Sequence, residues 1–111
     1  MPESFEDLYY EQLISDGVIA AKAGNRIQAR LLLERATAYN RPDSRPWIWL
    51  SETTDDLAEK RKYMECAVAA DPFNTAARRG MVMLSEQLDR KRLVKEGEGV
   101  PPRRPPARPR R

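Results

Sequence analysis

The residue types that most often carry out catalysis are almost absent from this sequence. It contains no histidine and a single cysteine, Cys66. The commonest general base, the commonest zinc ligand and every Ser-His or Cys-His nucleophile pair are therefore excluded. One thiolate cannot form a zinc site, and a lone cysteine cannot form an intramolecular disulfide. The sequence therefore predicts a protein that is not an enzyme and that uses no cofactor.

One cluster of acidic residues has a composition that could bind a cation: Glu52, Asp55, Asp56 and Glu59. Its spacing lacks the alternating oxygen ligands and the central glycine of a calcium loop. Asp55 and Asp56 stand where a helix is expected to begin, and the helix dipole stabilises acidic side chains at that position. We therefore predict a helix N-terminus here rather than a metal site.

The C-terminal segment differs in charge from the rest of the chain. All 17 acidic residues precede position 100, so residues 1–99 have a net charge of −2 and the remaining twelve residues have a charge of +5. The arginines of that segment are Arg103, Arg104, Arg108, Arg110 and Arg111. Five prolines accompany them and nothing there can be buried, which predicts a disordered basic tail over residues 97–111. The tail could bind phosphates, serve as a proline-rich ligand, or act as a linker.

Residues that start and stop helices divide residues 1–96 into five helical segments. Side chains that cap helix N-termini recur along the chain, at Ser4, Asn25, Ser44, the run 53–56 and Asn74. Gly24 suits the left-handed position after a helix, and Pro42 and Pro72 disfavour helix at the preceding residue. Apolar residues recur at helical spacing between these positions, and no segment alternates with period two. The sequence predicts an all-α fold of about five antiparallel helices, in two pairs and a C-terminal capping helix.

The two predicted helix pairs are similar to each other in sequence. In the first helix of each pair, Leu13 and Trp47 are 34 residues apart, as are Gly17 and Ser51; in the second helix, Leu33 and Met64 are 31 apart, as are Ala36 and Ala67. A deletion in the turn between the third and fourth helices explains both offsets. Small residues let neighbouring helices approach closely, and one helix pair cannot bury its own apolar face, so such pairs stack.

This pattern resembles the tetratricopeptide repeat family over about residues 10–90. The residues that carry the resemblance are Leu13, Gly17, Ala20, Ala29, Leu33, Ala36 and Pro42 in the first repeat, and Trp47, Leu50, Ser51, Met64, Ala67 and Pro72 in the second. The sequence departs from the family at Lys60, where alanine is usual, at Pro42, which is one residue late, and at Thr54. The resemblance implies a short solenoid that binds other proteins. A plain five-helix bundle would show similar apolar stripes and is the alternative fold.

The resemblance also implies a position for a binding groove. In the repeat register Ile14, Val18, Ile48 and Trp49 fall on the concave face, which in the family lines a peptide groove. Trp47, Leu50, Leu33 and Met64 should instead be buried. The alternative for Trp49 is that it covers the edge of the core. Many family members clamp a C-terminal carboxylate with a lysine and an asparagine, and Ile14 and Val18 stand at those positions, so that mode of recognition is not implied.

These observations predict a protein-interaction module that binds a peptide or a helix of a protein partner in an apolar concave groove. Nucleic-acid or anionic-surface association through the basic tail is the alternative function. No apolar run approaches the roughly 18 residues that span a bilayer, so no membrane span is expected. The acidic N-terminus lacks the features of a secretory signal, and a lone cysteine fits a reducing compartment, which predicts a cytoplasmic location.

Overall fold

The computed structural model describes the backbone of residues 4–99 and the side chains of residues 4–93. Within this range the chain forms five helices and no strand: α1 (Phe5–Lys22), α2 (Arg26–Thr37), α3 (Arg45–Ser51), α4 (Leu57–Ala70) and α5 (Thr75–Gly99). The all-α prediction is therefore confirmed. Helix α5 continues past residue 96, so the predicted domain boundary at that position falls inside a helix. Residues 100–111 of the predicted tail lie outside the described residues.

The predicted capping residues account for where most of the helices begin. Backbone amides of the first turn donate to the side chains of Ser4, Asn25, Asp56 and Asn74. Gly24 has a φ of +83°, the left-handed conformation expected after α1. Ser44 precedes α3 as predicted, but its side chain makes no capping hydrogen bond. Its hydroxyl instead donates to the Ala67 carbonyl oxygen at 2.8 Å, which joins the start of α3 to the end of α4.

The helices pack in chain order, α1 on α2, α3 on α4, and α5 on α4, while α2 and α3 join the two pairs. Two glycines permit close approach between neighbours. A Cβ atom at Gly17 would lie 2.7 Å from Leu33 Cγ, and one at Gly80 would lie 2.8 Å from Met64 Cε. A larger residue at Gly17 would therefore push α2 away from α1.

The core consists of three apolar clusters distributed along this series of helices. The first lies between α1 and α2, the second joins α1 and α2 to Leu50 of α3, and the third lies between α4 and α5. Leu33, Leu50 and Met64 are buried, as predicted. Trp47 was expected to be buried and is only half-buried. Its ring contacts both the second and the third cluster, so it covers the junction between them.

Lys60, the main departure from the repeat pattern, has a structural partner. Its Nζ atom donates to the Ser51 carbonyl oxygen at 2.8 Å. That carbonyl belongs to the last residue of α3, where helix carbonyls lack partners within the helix. A positive charge is also favoured at a helix C-terminus. Lys60 therefore stabilises the C-terminal end of the short α3.

Candidate functional site

Ile14 does not line an open groove, and the prediction for this residue is wrong. Its side chain is only 4% exposed and belongs to the first core cluster with Tyr10 and Leu13. Leu32 and Tyr39 of α2 pack against that cluster. Because α2 covers the face of α1 that carries both Tyr10 and Ile14, one helical turn apart, neither side chain is available to a ligand.

The other three predicted groove residues are half-buried, and each packs against a different cluster. Val18 packs against the first cluster, Trp49 against the second and Ile48 against the third. The Lys22 ammonium lies 5.7 Å from the centre of the Trp49 ring, a cation–π arrangement. Trp49 thus packs at the edge of the second cluster. Ile48 also lines a cleft between the helices.

This cleft lies between α3, α4 and α5 and has a volume of about 500 Å³. We name it the α3–α5 cleft. Its apolar lining consists of Ile48, Met64, Met83 and Leu84, and its polar lining includes Glu52, Lys60, Arg79 and Gln87. Ser51, Ala76 and Gly80 also line it.

The charged residues that line the α3–α5 cleft differ in whether another group of the chain already binds them. Lys60 already donates to a carbonyl oxygen. Glu52 and Arg79 are exposed, and neither forms an ion pair with another residue in the described part of the chain. An apolar wall with one free carboxylate and one free guanidinium at its edge is a suitable surface for a peptide, which carries backbone and side-chain polar groups beside its apolar side chains.

A second group of polar residues lies where the loop after α2 meets α1. The Tyr10 hydroxyl donates to Asp43 Oδ2 at 2.9 Å, and the Arg45 guanidinium contacts both Asp43 and Glu11. Burial alone would raise the pKa of the Asp43 carboxyl, but the hydrogen bonds from Arg45 and Tyr10 outweigh it and hold that pKa below its ordinary value. These charges satisfy one another, so the group anchors the loop and offers no free ligand.

Sequence reasoning missed that α5 contributes to the cleft. The sequence predicted this helix only as a capping helix and placed all four groove residues on the first and third helices. Ala76, Gly80, Met83 and Gln87 recur there at spacings of three and four residues, the spacing of one helix face. That stripe is weakly apolar, and only the packing of α5 against α4 shows that it borders a cleft.

The predicted basic residues Arg103, Arg104, Arg108, Arg110 and Arg111 lie outside the described residues. Across residues 4–93, no three acidic or cysteine side chains converge on a point where they could hold a metal ion. Among the described helices, none is both long and apolar enough to cross a bilayer. No family model matches the chain, and no curated protein or solved structure shows significant similarity to it.

Proposed function

We propose that this chain is a protein-interaction module that binds a short apolar segment of a partner protein in the α3–α5 cleft. The observation that supports this most is the exposed Met83 side chain, 60% accessible, opposite Ile48 in a cleft of about 500 Å³. Methionine adapts its shape to different apolar side chains, and methionine-rich surfaces are common where proteins bind several sequences.

The polar edge of the cleft indicates the chemistry of the bound segment. Glu52 and Arg79 favour a segment with a basic and an acidic group flanking an apolar side chain. The arrangement also fits the proposed tetratricopeptide-like register, because α3 and α5 are the first helices of successive units and the groove of that family lies along such helices. A solenoid of two helix pairs with a capping helix is part of the same proposal.

The proposal can be tested without knowing the natural partner. Peptides selected from a randomised display library by binding to the protein would be titrated into a sample with labelled methionine and isoleucine methyl groups. We expect the Met83 and Ile48 signals to shift. Met83→Glu should weaken binding of these peptides at least tenfold, because a charge replaces an apolar contact surface.

Leu93→Glu is the matched control, because Leu93 is equally exposed on α5 and does not line the cleft. It should bind the peptides as the unmodified protein does. Both variants should melt at nearly the same temperature as the parent, because substitutions at exposed positions change stability little. The proposal would be contradicted by selected peptides that do not shift the Met83 methyl signal, or that bind the Met83→Glu protein as tightly as the parent.

A second candidate function follows from the charge of +5 over residues 100–111. Such a segment would bind nucleic acid or an anionic surface with an affinity that falls steeply with salt concentration. Deleting residues 100–111 should then remove most of the binding to a random-sequence oligonucleotide and flatten its salt dependence. Unchanged, salt-insensitive binding by the shortened chain would argue against this function.

A further inference from the structure

One side of α5 faces away from the rest of the molecule. Ala77 and Leu84 are buried in the third core cluster, where α5 packs against α4. Arg79 and Glu86 each follow one of these residues by two positions, which is about 200° around the helix. They are exposed and lie on the side of α5 that points away from α4. We name this side the outer face of α5, and it consists of Arg79, Val82, Met83 and Glu86.

The two charges of the outer face have no ionic partner in the part of the chain that the structure describes. Neither Arg79 nor Glu86 forms an ion pair there. They are seven residues apart on one helix, about 10 Å along its axis, which is too far for a direct contact with each other. A guanidinium and a carboxylate on the same face are therefore both available to another molecule.

The outer face is complementary to a second copy of itself. Val82 and Met83 stand at its centre and are 57% and 60% exposed, with Arg79 three residues before this pair and Glu86 three residues after it. An antiparallel copy centred on the pair would set Val82 against Met83 and Arg79 against Glu86, each contact occurring twice. A parallel copy would set Arg79 against Arg79 and Glu86 against Glu86, and like charges in contact are unfavourable. The order of these four residues therefore selects the antiparallel arrangement.

Two further apolar side chains stand at the ends of this arrangement. Phe73, just before α5, is 88% exposed, and Leu93 is 65% exposed. In the antiparallel arrangement residue 93 of one copy lies opposite residue 72 of the other, so Leu93 reaches the level of Phe73. Contact between two helices needs no cavity, because the side-chain ridges of one helix fit between those of the other.

From this arrangement we propose that two copies of the chain form an antiparallel dimer through the outer face of α5. Each copy uses the same surface, so association stops at two copies. A contact through one helix of each copy is small, and the dimer therefore forms weakly and only at high protein concentration.

This inference does not rest on the proposed binding of peptides. Arg79 and Met83 border the α3–α5 cleft as well as the outer face, but Val82 and Glu86 do not line that cleft. The Glu86→Arg protein should therefore lose dimerisation and still bind the peptides selected for the cleft. Self-association is measured without any peptide, so failure of either proposal is a separate result.

The first experiment measures the average mass of the full chain against concentration by sedimentation equilibrium. The mass should rise towards that of two copies and no further. Arg79→Glu and Glu86→Arg should each weaken the dimer at least about tenfold, because like charges then face each other twice. Lys91→Glu is the matched control. It makes the same change in charge as Arg79→Glu at an exposed position seven residues after Leu84, on the opposite side of α5, and should dimerise as the parent does.

The second experiment exchanges the two charges. An equimolar mixture of the Arg79→Glu and Glu86→Arg proteins restores both opposite-charge contacts between unlike copies, so it should dimerise although neither variant does alone. The double variant restores them between like copies and should also dimerise. A parent chain that stays monomeric at millimolar concentration would overturn the proposal. So would single variants that dimerise like the parent, or a mixture and a double variant that associate no better than the single variants while circular dichroism shows all of them folded.

Discussion

At the scale of single residues, Asp43 is the most heavily contacted charge of the loop between α2 and α3. It accepts hydrogen bonds from the Tyr10 hydroxyl and from the side chain and backbone of Arg45. Arg41 of the same loop stacks on the rings of Tyr10 and Tyr39 and pairs with Asp7. These contacts fix the loop against α1. Removing the buried Tyr10 hydroxyl tests these contacts most directly, because it donates to Asp43.

Changing Tyr10 to Phe should lower the free energy of unfolding by about 1.5–3 kcal/mol at pH 7, the usual contribution of a hydrogen bond to a charged group. Burial first, and then the hydrogen bond to Asp43, raise the pKa of the Tyr10 hydroxyl above its ordinary value of 10.0. Stabilisation by a group with a raised pKa is complete below the unfolded value and is lost as the pH rises through the folded value. The parent should therefore lose stability above about pH 10.

The measurement is urea unfolding of the parent and the Tyr10→Phe protein between pH 7 and pH 11. The stability of the variant should fall less steeply on the alkaline side. Tyr9→Phe is the control, because Tyr9 is half exposed and no hydrogen bond from its hydroxyl is described. Equal alkaline slopes for the parent and the Tyr10→Phe protein would show that this hydroxyl does not titrate differently in the folded state.

At the scale of helices, the sequence predicted where each helix begins and ends better than it predicted which side chains pack between helices. Helix ends follow from Asn25, Asn74, Gly24 and Pro72, because capping and chain breaking are local. The burial of Ile14 was not predicted, because it depends on Tyr39 and on the angle at which α2 crosses α1. The similarity of the two helix pairs indicated which residues are small, and Gly17 lies against Leu33. It could not show which side of α1 the partner helix covers.

The two helical glycines should respond differently to substitution by alanine. At Gly17 the new Cβ would meet Leu33 Cγ at 2.7 Å, and Leu33 is fully buried, so we expect a net loss of about 1–3 kcal/mol in unfolding free energy. At Gly80 the nearest atom is the flexible end of Met64, at 2.8 Å. Alanine is favoured over glycine within a helix by about 1 kcal/mol, so Gly80→Ala should be close to neutral.

Urea unfolding measures the free energy of unfolding of both variants, and each variant serves as the control for the other. A Gly17→Ala protein that is as stable as the parent would mean that Leu33 can move aside as readily as we expect of Met64. The close packing of α1 on α2 would then not depend on glycine.

At the scale of the whole molecule, burial declines from the central helices towards the end of α5. Leu33, Leu50 and Ala67 are fully buried. From Asp89 to Leu93 every side chain of α5 is exposed. The sequence indicated this gradient, because the apolar stripe of α5 ends at Leu88.

We therefore expect amide hydrogen exchange to be slowest in α2 and α4 and fastest in α5 beyond Leu88. Amides open locally where few apolar contacts hold a segment in place, and the free energy of opening approaches the global value only in the core. Amide exchange measured by NMR provides the test. Protection after Leu88 equal to that in α4 would contradict the gradient.

The position of the lone cysteine has a practical consequence. Cys66 is exposed on α4 and lines a cleft of about 430 Å³ that Trp47 also lines. A thiol-reactive dye would therefore attach to the unmodified chain at one known position, and the neighbouring indole would quench many such dyes on contact. Because Cys66 lies on α4 and Trp47 on α3, the brightness of the dye would report loss of the packing between these two helices when the protein unfolds.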